Sequence, residues 1–227
     1  IKSNDKVIDI GGNRGVYAYA LSKMNVTIEI FEPNPICSNV LSSWARGKEY
    51  INVHQIALSD SSGLAELTIP ISKSGVVHDA SASLENSDFS LSMKKEVNLD
   101  ILDKYNFKQV SLIKIDVEGH EFNVLCGAEK TLRESKPALL VEIEERHSKR
   151  PIDDVFNFLE DMDYQGFFLK EGNLKPLNSF DKNRDQNIDH LRYDSNQYIN
   201  NFLFLHSNRI KEGEYLKLFK CWNHQRR

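Results

Sequence analysis

VIDIGGNRGVYAYAL, residues 7–21, decides how this chain folds. Its first four residues read as a buried strand, Gly11 to Gly15 as a tight turn, and the remainder as the start of a helix. A dinucleotide fingerprint would place glycine at the first, third and sixth positions of that turn. Counting from Gly11, those positions hold Gly11, Asn13 and Val16, so the fingerprint fails. What remains is an acid, Asp9, followed by a G-x-x-x-G turn whose glycines let backbone approach a ligand closely. Glu32 follows Gly11 by 21 residues and ends the next strand-like run, VTIEIFE (26–32). From that place a carboxylate can accept hydrogen bonds from both hydroxyls of a ribose. The two features together indicate a nucleoside, and the failed fingerprint argues against a pyrophosphate.

Outward from this unit the same alternation continues. Strand-like KVIDIG (6–11) precedes helical VYAYALSKM (16–24), and VTIEIFE precedes helical CSNVLSSWAR (37–46). NVHQIALS (52–59) reads as a third strand and LAELTIPI (64–71) as an extra one, followed by a polar, serine-rich stretch, 72–96. Leu99 to Tyr105 is a predicted short helix. SLIKIDVEG (111–119) is strand four, EFNVLCGAEKTLRES (121–135) a helix, and ALLVEIEE (138–145) strand five. DDVFNFLEDM (153–162) is amphipathic, with Val155, Phe156, Leu159 and Met162 on one face and two acids suited to its positive end. QGFFLKEG (165–172) and YINNFLFLHS (198–207) are the last strands. This order predicts an α/β, doubly wound, mostly parallel sheet with an inserted β/loop segment after strand three. One domain is expected over 1–227, with 72–96 and the polar loop 181–196 on the substrate side and the latter mobile.

Composition excludes several classes. A formal net charge of −4 offers no basic surface for nucleic acid. No apolar run approaches the roughly 20 residues of a membrane span, and the first residues lack a signal peptide's basic region and apolar core, so a cytoplasmic location is expected. Cys37, Cys126 and Cys221 are odd in number and far apart, which reads as reduced structural thiols. The tail from Arg209 to Arg227 mixes Lys and Arg with Tyr215, Leu216, Leu218, Phe219 and Trp222 and reads as a packing helix or a homodimer contact.

Two strands carry acids at their carboxyl ends. In LIKIDVEGHE, Lys114, Asp116 and Glu118 project to one side by the period of two. A central parallel strand is covered on both faces, so these acids belong at the rim, where a cleft opens. ALLVEIEERH repeats the pattern with Glu142 and Glu144, and His147 just beyond. Such a rim serves as a general base, a pocket for a cationic ligand, or a set of oxygen ligands for a hard cation. The plainer alternative pairs Lys114 with an acid and leaves the rest solvated. His120, His147 and His78 are single histidines and weak signals.

VIDIGGNRG (7–15), IFEPNP (30–35), ALSD (57–60), IKIDVEGHEFNVLCGA (113–128) and LLVEI (139–143) occur in order, and together they resemble the FkbM family of S-adenosylmethionine-dependent methyltransferases. NNFLFL (200–205) resembles that family's closing strand. The resemblance implies a Rossmann-like class I methyltransferase fold, a seven-stranded sheet whose last strand inserts antiparallel, acting on a hydroxyl of a sugar or polyketide-like molecule. It implies that Asp9, Gly11, Asn13 and Gly15 line the methionine part of S-adenosylmethionine, that Glu32, followed by Pro33, holds the ribose, and that Ala57 and Leu58 flank the adenine. Asp116 would stand beside both the methionine end and the acceptor. Gly12 and Arg14 stand where the family usually has alanine and a small or aliphatic residue, respectively.

The cofactor suits the residues independently, because its sulfonium is positive and it has no phosphate. The expected reaction is O-methylation of a sugar, glycan or related small molecule. Glu118, His120 and Glu142 are the candidate bases, and Asp116 helps or orients. A metal-assisted version would bridge Mg²⁺ through Asp116, Glu118 or Glu142 and is the less favoured one; no metal ligand set is assigned. Two rivals stand beside this reading: an NAD(P)-dependent oxidoreductase on a similar sheet, disfavoured by the missing third glycine, and a catalytically inactive binding scaffold. Acceptor selectivity is expected in 72–96, including His78, Ser81 and Ser83, and in 181–196.

Overall fold

A computed structural model of the chain describes residues 1–72, 74, 82–85, 91–190 and 197–219. Strand β1 (Lys6–Ile10) lies at its centre, parallel to β2 (Thr27–Phe31) on one side and to β7 (Val110–Ile115) on the other. Beyond β2 the sheet ends on β3 (Ile51–His54). Beyond β7 it continues through β8 (Ala138–Glu142) to β11 (Asn201–His206), which is antiparallel and inserted between β8 and β9 (Tyr164–Lys170). A short hairpin partner, β10 (Asn173–Pro176), makes the sheet eight-stranded, in the order β10-β9-β11-β8-β7-β1-β2-β3. The seven expected strands are therefore present, with β10 added at an edge, where Pro176 can lack a ladder donor without cost.

The period of two explains why both faces are covered. On β1 and β2, Val7, Ile28 and Ile30 pack with Ala18, Leu21 and Leu41 beneath helices α1 (Val16–Leu21) and α2 (Pro35–Ala45). Ile8, Ile10 and Phe31 point the other way, into a larger core shared with α3 (Glu121–Cys126), α4 (Glu129–Ser135) and α5 (Asp153–Asp161). Strands buried on both sides need apolar residues at successive positions, and the central strands have them.

Several element readings of the sequence are corrected. The run 52–59 is two strands: after a turn closed by Ile56 N–H to His54 O, β4 (Ala57–Leu58) leaves the main sheet and pairs with β6 (Ser92–Asp100). β6 takes the end of the stretch expected to be irregular, because β5 (Gly63–Pro70) supplies it with an antiparallel partner over its whole length. The helix 121–135 is broken at Gly127, where a Cβ would lie 1.9 Å from the Ser59 carbonyl oxygen, so backbone occupies the space a side chain needs. Of the loop expected over 181–196, residues 191–196 lie outside the described residues, and 181–190 carry two short helical segments. Asp181 caps α6 (Lys182–Asp185), Asp185 is fully buried against Lys170 and Arg184, and Gln186 bonds the carbonyls of Ile143 and Ile199.

The predicted helix near Leu99 is a single 3₁₀ turn, Leu102–Tyr105. In the tail, α7 (Ser207–Lys211) packs back on the same chain, with Arg209 donating to Ser135 O and Phe219 against Phe167. Neither of the described cysteines, Cys37 and Cys126, forms a disulfide among the described residues. His78, Ser81, Cys221 and Trp222 lie outside the described residues.

Candidate active site

The site forms where β1 and β7 end. Gly11 takes a positive φ of 74°, and a Cβ there would stand 1.8 Å from the Asp116 carbonyl oxygen, while Asp116 N–H donates to Ile10 O. Glycine at 11 is thus demanded by the neighbouring chain, before any ligand is considered. Gly15, at φ 84°, begins α1, and its missing Cβ is filled by Leu41.

Beneath this crossing lies a buried charge cluster. Lys114 Nζ sits 3.5 Å from Asp9 and 3.2 Å from Asp116, donates to Gly11 O at 2.9 Å, and faces the Tyr17 ring at 5.1 Å. Burial alone would lower the lysine, but the two carboxylates outweigh it and hold its pKa above the ordinary value. Burial pushes the Asp9 carboxyl up, with Lys114 working against it. Asp9, expected beside the methionine part of a ligand, has no exposed surface, and Lys114 stands between it and Asp116. The plainer reading of Lys114, as the partner of an acid, describes it correctly.

Above the crossing, a cleft is lined by Gly11, Glu32, Pro33, Ala57, Leu58, Asp116 and His120, all of them sequence candidates, and by Leu67, Ala82 and Leu84 from the insert. Glu32 is nearly buried and its two oxygens accept the backbone N–H groups of Asn13 and Asn34, each at 2.7 Å. Burial raises its pKa, and the two N–H bonds oppose that. Asn13 and Gly15 therefore serve the cleft from behind: Asn13, at φ 44°, orients Glu32, and Gly15 shapes the turn.

Asp116 also forms the wall of a second, acidic pocket, with Glu118, Glu121, Glu142, Glu144 and His147. The period of two stops at Ile115. Glu118 turns back with φ 53°, and its carboxyl comes to 3.5 Å from His147 Nε2. Burial, then Asp116, Glu142 and Glu144, push Glu118 up to about 8. Burial, then Asp116 and Glu144, push Glu142 up to about 7, although it accepts Asn200 Nδ2 at 2.6 Å. Glu121 is likewise pushed up to about 7 by burial and accepts Gly119 N–H at 3.0 Å. Burial also raises Glu144, but Arg146, Tyr198 and Asn200 outweigh it and leave this acid below the ordinary range. The pocket therefore holds acids of unlike strength, three of which, Glu118, Glu121 and Glu142, change charge near neutrality. Among the described residues, no group of three or more His, Cys, Asp or Glu is arranged to hold a metal ion.

His120 stands apart from that pocket. Its Nε2 lies 2.9 Å from Ser59 Oγ and its Nδ1 2.7 Å from Glu85. The sequence did not single out Glu121, Ser59, Glu85 or Tyr198. Glu121 reads as an ordinary acid at a helix start, and the other three reach the site only through chain crossings.

The sequence profile of the family described as "Methyltransferase FkbM domain" matches residues 9–165. Methyltransferase sdnD of Sordaria araneosa is 27% identical over 183 residues, covering 66% of this chain and 71% of that protein. The crystal structure of methyltransferase FkbM from Methylobacillus flagellatus KT superposes with a TM-score of 0.57 at 17% identity. It covers 90% of this chain, which spans 44% of the length of that structure. No described helix is long and apolar enough to cross a membrane.

Proposed function

The chain belongs to the FkbM methyltransferase domain family, and from that premise we propose that it is an S-adenosylmethionine-dependent enzyme that methylates a hydroxyl of a sugar, a glycan or a related polyhydroxylated small molecule. The observation that carries this reading is the double duty of Asp116, which borders both the Glu32 cleft and the acidic pocket. A donor and an acceptor bound on its two sides would meet at it.

The donor fits the first cleft. A carboxylate oxygen accepts more than one hydrogen bond, so Glu32 keeps capacity for the ribose hydroxyls after receiving Asn13 and Asn34. Ala57, Leu58, Ala82 and Leu84 offer apolar walls to a flat purine. Gly11 and Asp116 border the end nearest the acids, where a cationic sulfur would be favoured. When bound, S-adenosylmethionine supplies an electrophilic methyl group on that sulfur.

The chain's own contribution is alignment and proton transfer. Holding two reactants in line replaces a chance encounter, which is worth several kcal/mol of barrier. An alcohol must lose its proton as it attacks, and a base works best when its pKa lies near the working pH. Glu118 and Glu142 meet that requirement. Glu118 is the proposed base, with Glu142 beside it and Asp116 orienting. His120, bonded to Ser59 and Glu85, is assigned to the cleft wall.

The acceptor side is polar: Asn200 and Tyr198 bond the acids, and the 181–190 stretch stands nearby through Gln186, which receives Glu145 N–H. Hydrogen-bonding groups at that density suit a polyhydroxylated acceptor, and the net charge of −4 disfavours nucleic acid. Calorimetric titration with S-adenosylhomocysteine and, in parallel, NADH tests the donor assignment. The wild-type chain is expected to bind the former, and Glu32→Gln to bind it at least about tenfold more weakly. Binding of NADH alone, or a Glu32→Gln variant of unchanged affinity, would refute it. A screen of nucleotide sugars and glycans with labelled methyl donor then identifies the acceptor.

A further inference from the structure

Residues 82–85 lie across the donor cleft and are bonded to three other parts of the chain. Ser83 and Thr68 exchange backbone hydrogen bonds of 2.9 and 3.0 Å, which joins the segment to β5. Ser83 Oγ donates to the Glu118 carbonyl at 2.6 Å and accepts Glu85 N–H at 3.0 Å. Glu85 then reaches outward with both oxygens, Oε1 to His120 Nδ1 at 2.7 Å and Oε2 to Lys149 Nζ at 2.8 Å. Ala82 and Leu84, on either side of Ser83, face the cleft.

We propose that Glu85 is a positioning residue for methyl transfer: its carboxylate buckles segment 82–85 over the donor cleft and, through His120 and Ser83, steadies the 116–120 turn that carries Asp116 and Glu118. The proposal rests on the donor reading of the Glu32 cleft. Three geometric facts support it. First, the bonds made by Glu85 are charge-assisted, hence about twice as strong as neutral ones. Second, the imidazole of His120 is held at both nitrogens, by Glu85 and by Ser59, so its ring plane is fixed between the insert and β4. Third, Glu118 sits at φ 53°, a conformation that persists only when its surroundings hold it, and the Ser83 hydroxyl is bonded to its carbonyl. Burial raises Glu85, but Lys149 and His120 outweigh it and keep the carboxylate ionised.

Glu85 is not part of the cores beneath the sheet, so a purely structural role and a positioning role make different predictions. Glu85→Ala, Glu85→Gln and Lys149→Met in the full chain, titrated with S-adenosylhomocysteine and followed by amide hydrogen exchange, separate them. Glu85→Ala is expected to weaken binding about tenfold or more and to speed exchange at amides 117–120, with Tm within about 2 °C of wild type. Lys149→Met loses one of the two bonds of Glu85 and is expected to weaken binding about threefold; Glu85→Gln loses that bond and the charge on the other, and falls between Lys149→Met and Glu85→Ala.

A Glu85→Ala variant with wild-type affinity and wild-type exchange would overturn the proposal. So would a loss of affinity that merely tracks a lowered Tm and faster exchange throughout the chain. Should Glu85→Ala fail to fold, Lys149→Met decides, and unchanged affinity and exchange there overturn the proposal. A wild-type chain that binds no S-adenosylhomocysteine would instead overturn the donor reading and, with it, this proposal.

Discussion

Replacing Glu118 by Gln should make the protein more stable and less active, and the two effects should part company with pH. The side chain keeps its shape and loses its charge. In the folded chain Glu118 holds its proton up to about 8, whereas its ordinary pKa is 4.5. Between those pH values the folded state binds a proton that the unfolded state has released, so wild-type stability falls as pH rises through this window. At pH 7 the penalty for this one group is at most about 3 kcal/mol, at about 1.4 kcal/mol per pH unit. Asp116, Glu142 and Glu144 face the same pocket and share the repulsion, so a gain of about 2 kcal/mol is the working figure. For a chain of this size that corresponds to a Tm higher by roughly 4–8 °C. The gain should disappear as pH falls below 4.5, where Glu118 becomes protonated in both states. Turnover should fall about a hundredfold or more if Glu118 is the base. Urea unfolding of both proteins from pH 4.5 to 8.5 measures the stability effect. An advantage that stays constant across that range, or is absent at pH 8, would refute the account of a carboxyl strained by burial and by its neighbours.

Two further substitutions test the scaffold. Gly11→Ala should cost about 3 kcal/mol or more, because its Cβ meets backbone at 1.8 Å and its φ is 74°. Gly47→Ala, at φ 79° with nothing within 4 Å of the new Cβ, should cost only about 1 kcal/mol; equal losses by thermal unfolding would show that strain alone, and not the Asp116 carbonyl, makes Gly11 necessary. Lys114→Met leaves Asp9 buried without a cation and should destabilise by about 3–5 kcal/mol at pH 7. That loss should shrink as pH falls and Asp9 takes up a proton, and urea titrations at pH 7 and pH 4 would show whether it does.

The amino-acid order by itself determined the α/β class and the inserted segment, because apolar periodicity is a short-range property. A strand covered on both faces must be apolar at consecutive positions, as Val7 and Ile8 are, and a helix must be apolar every third or fourth. The same local logic placed Glu32 and Asp116 at strand ends, and both line the cleft. What the residues around them do was decided in three dimensions. Gly11 reads as space for a ligand until the Asp116 carbonyl is found filling it. Asp9 reads as a cleft residue until it is found beneath Lys114. The strength of Glu118 as a base depends on Asp116, Glu121, Glu142 and Glu144 converging from two strand ends and a helix start. Electrostatic energy and burial depend on distance through space, and a sequence records only distance along the chain.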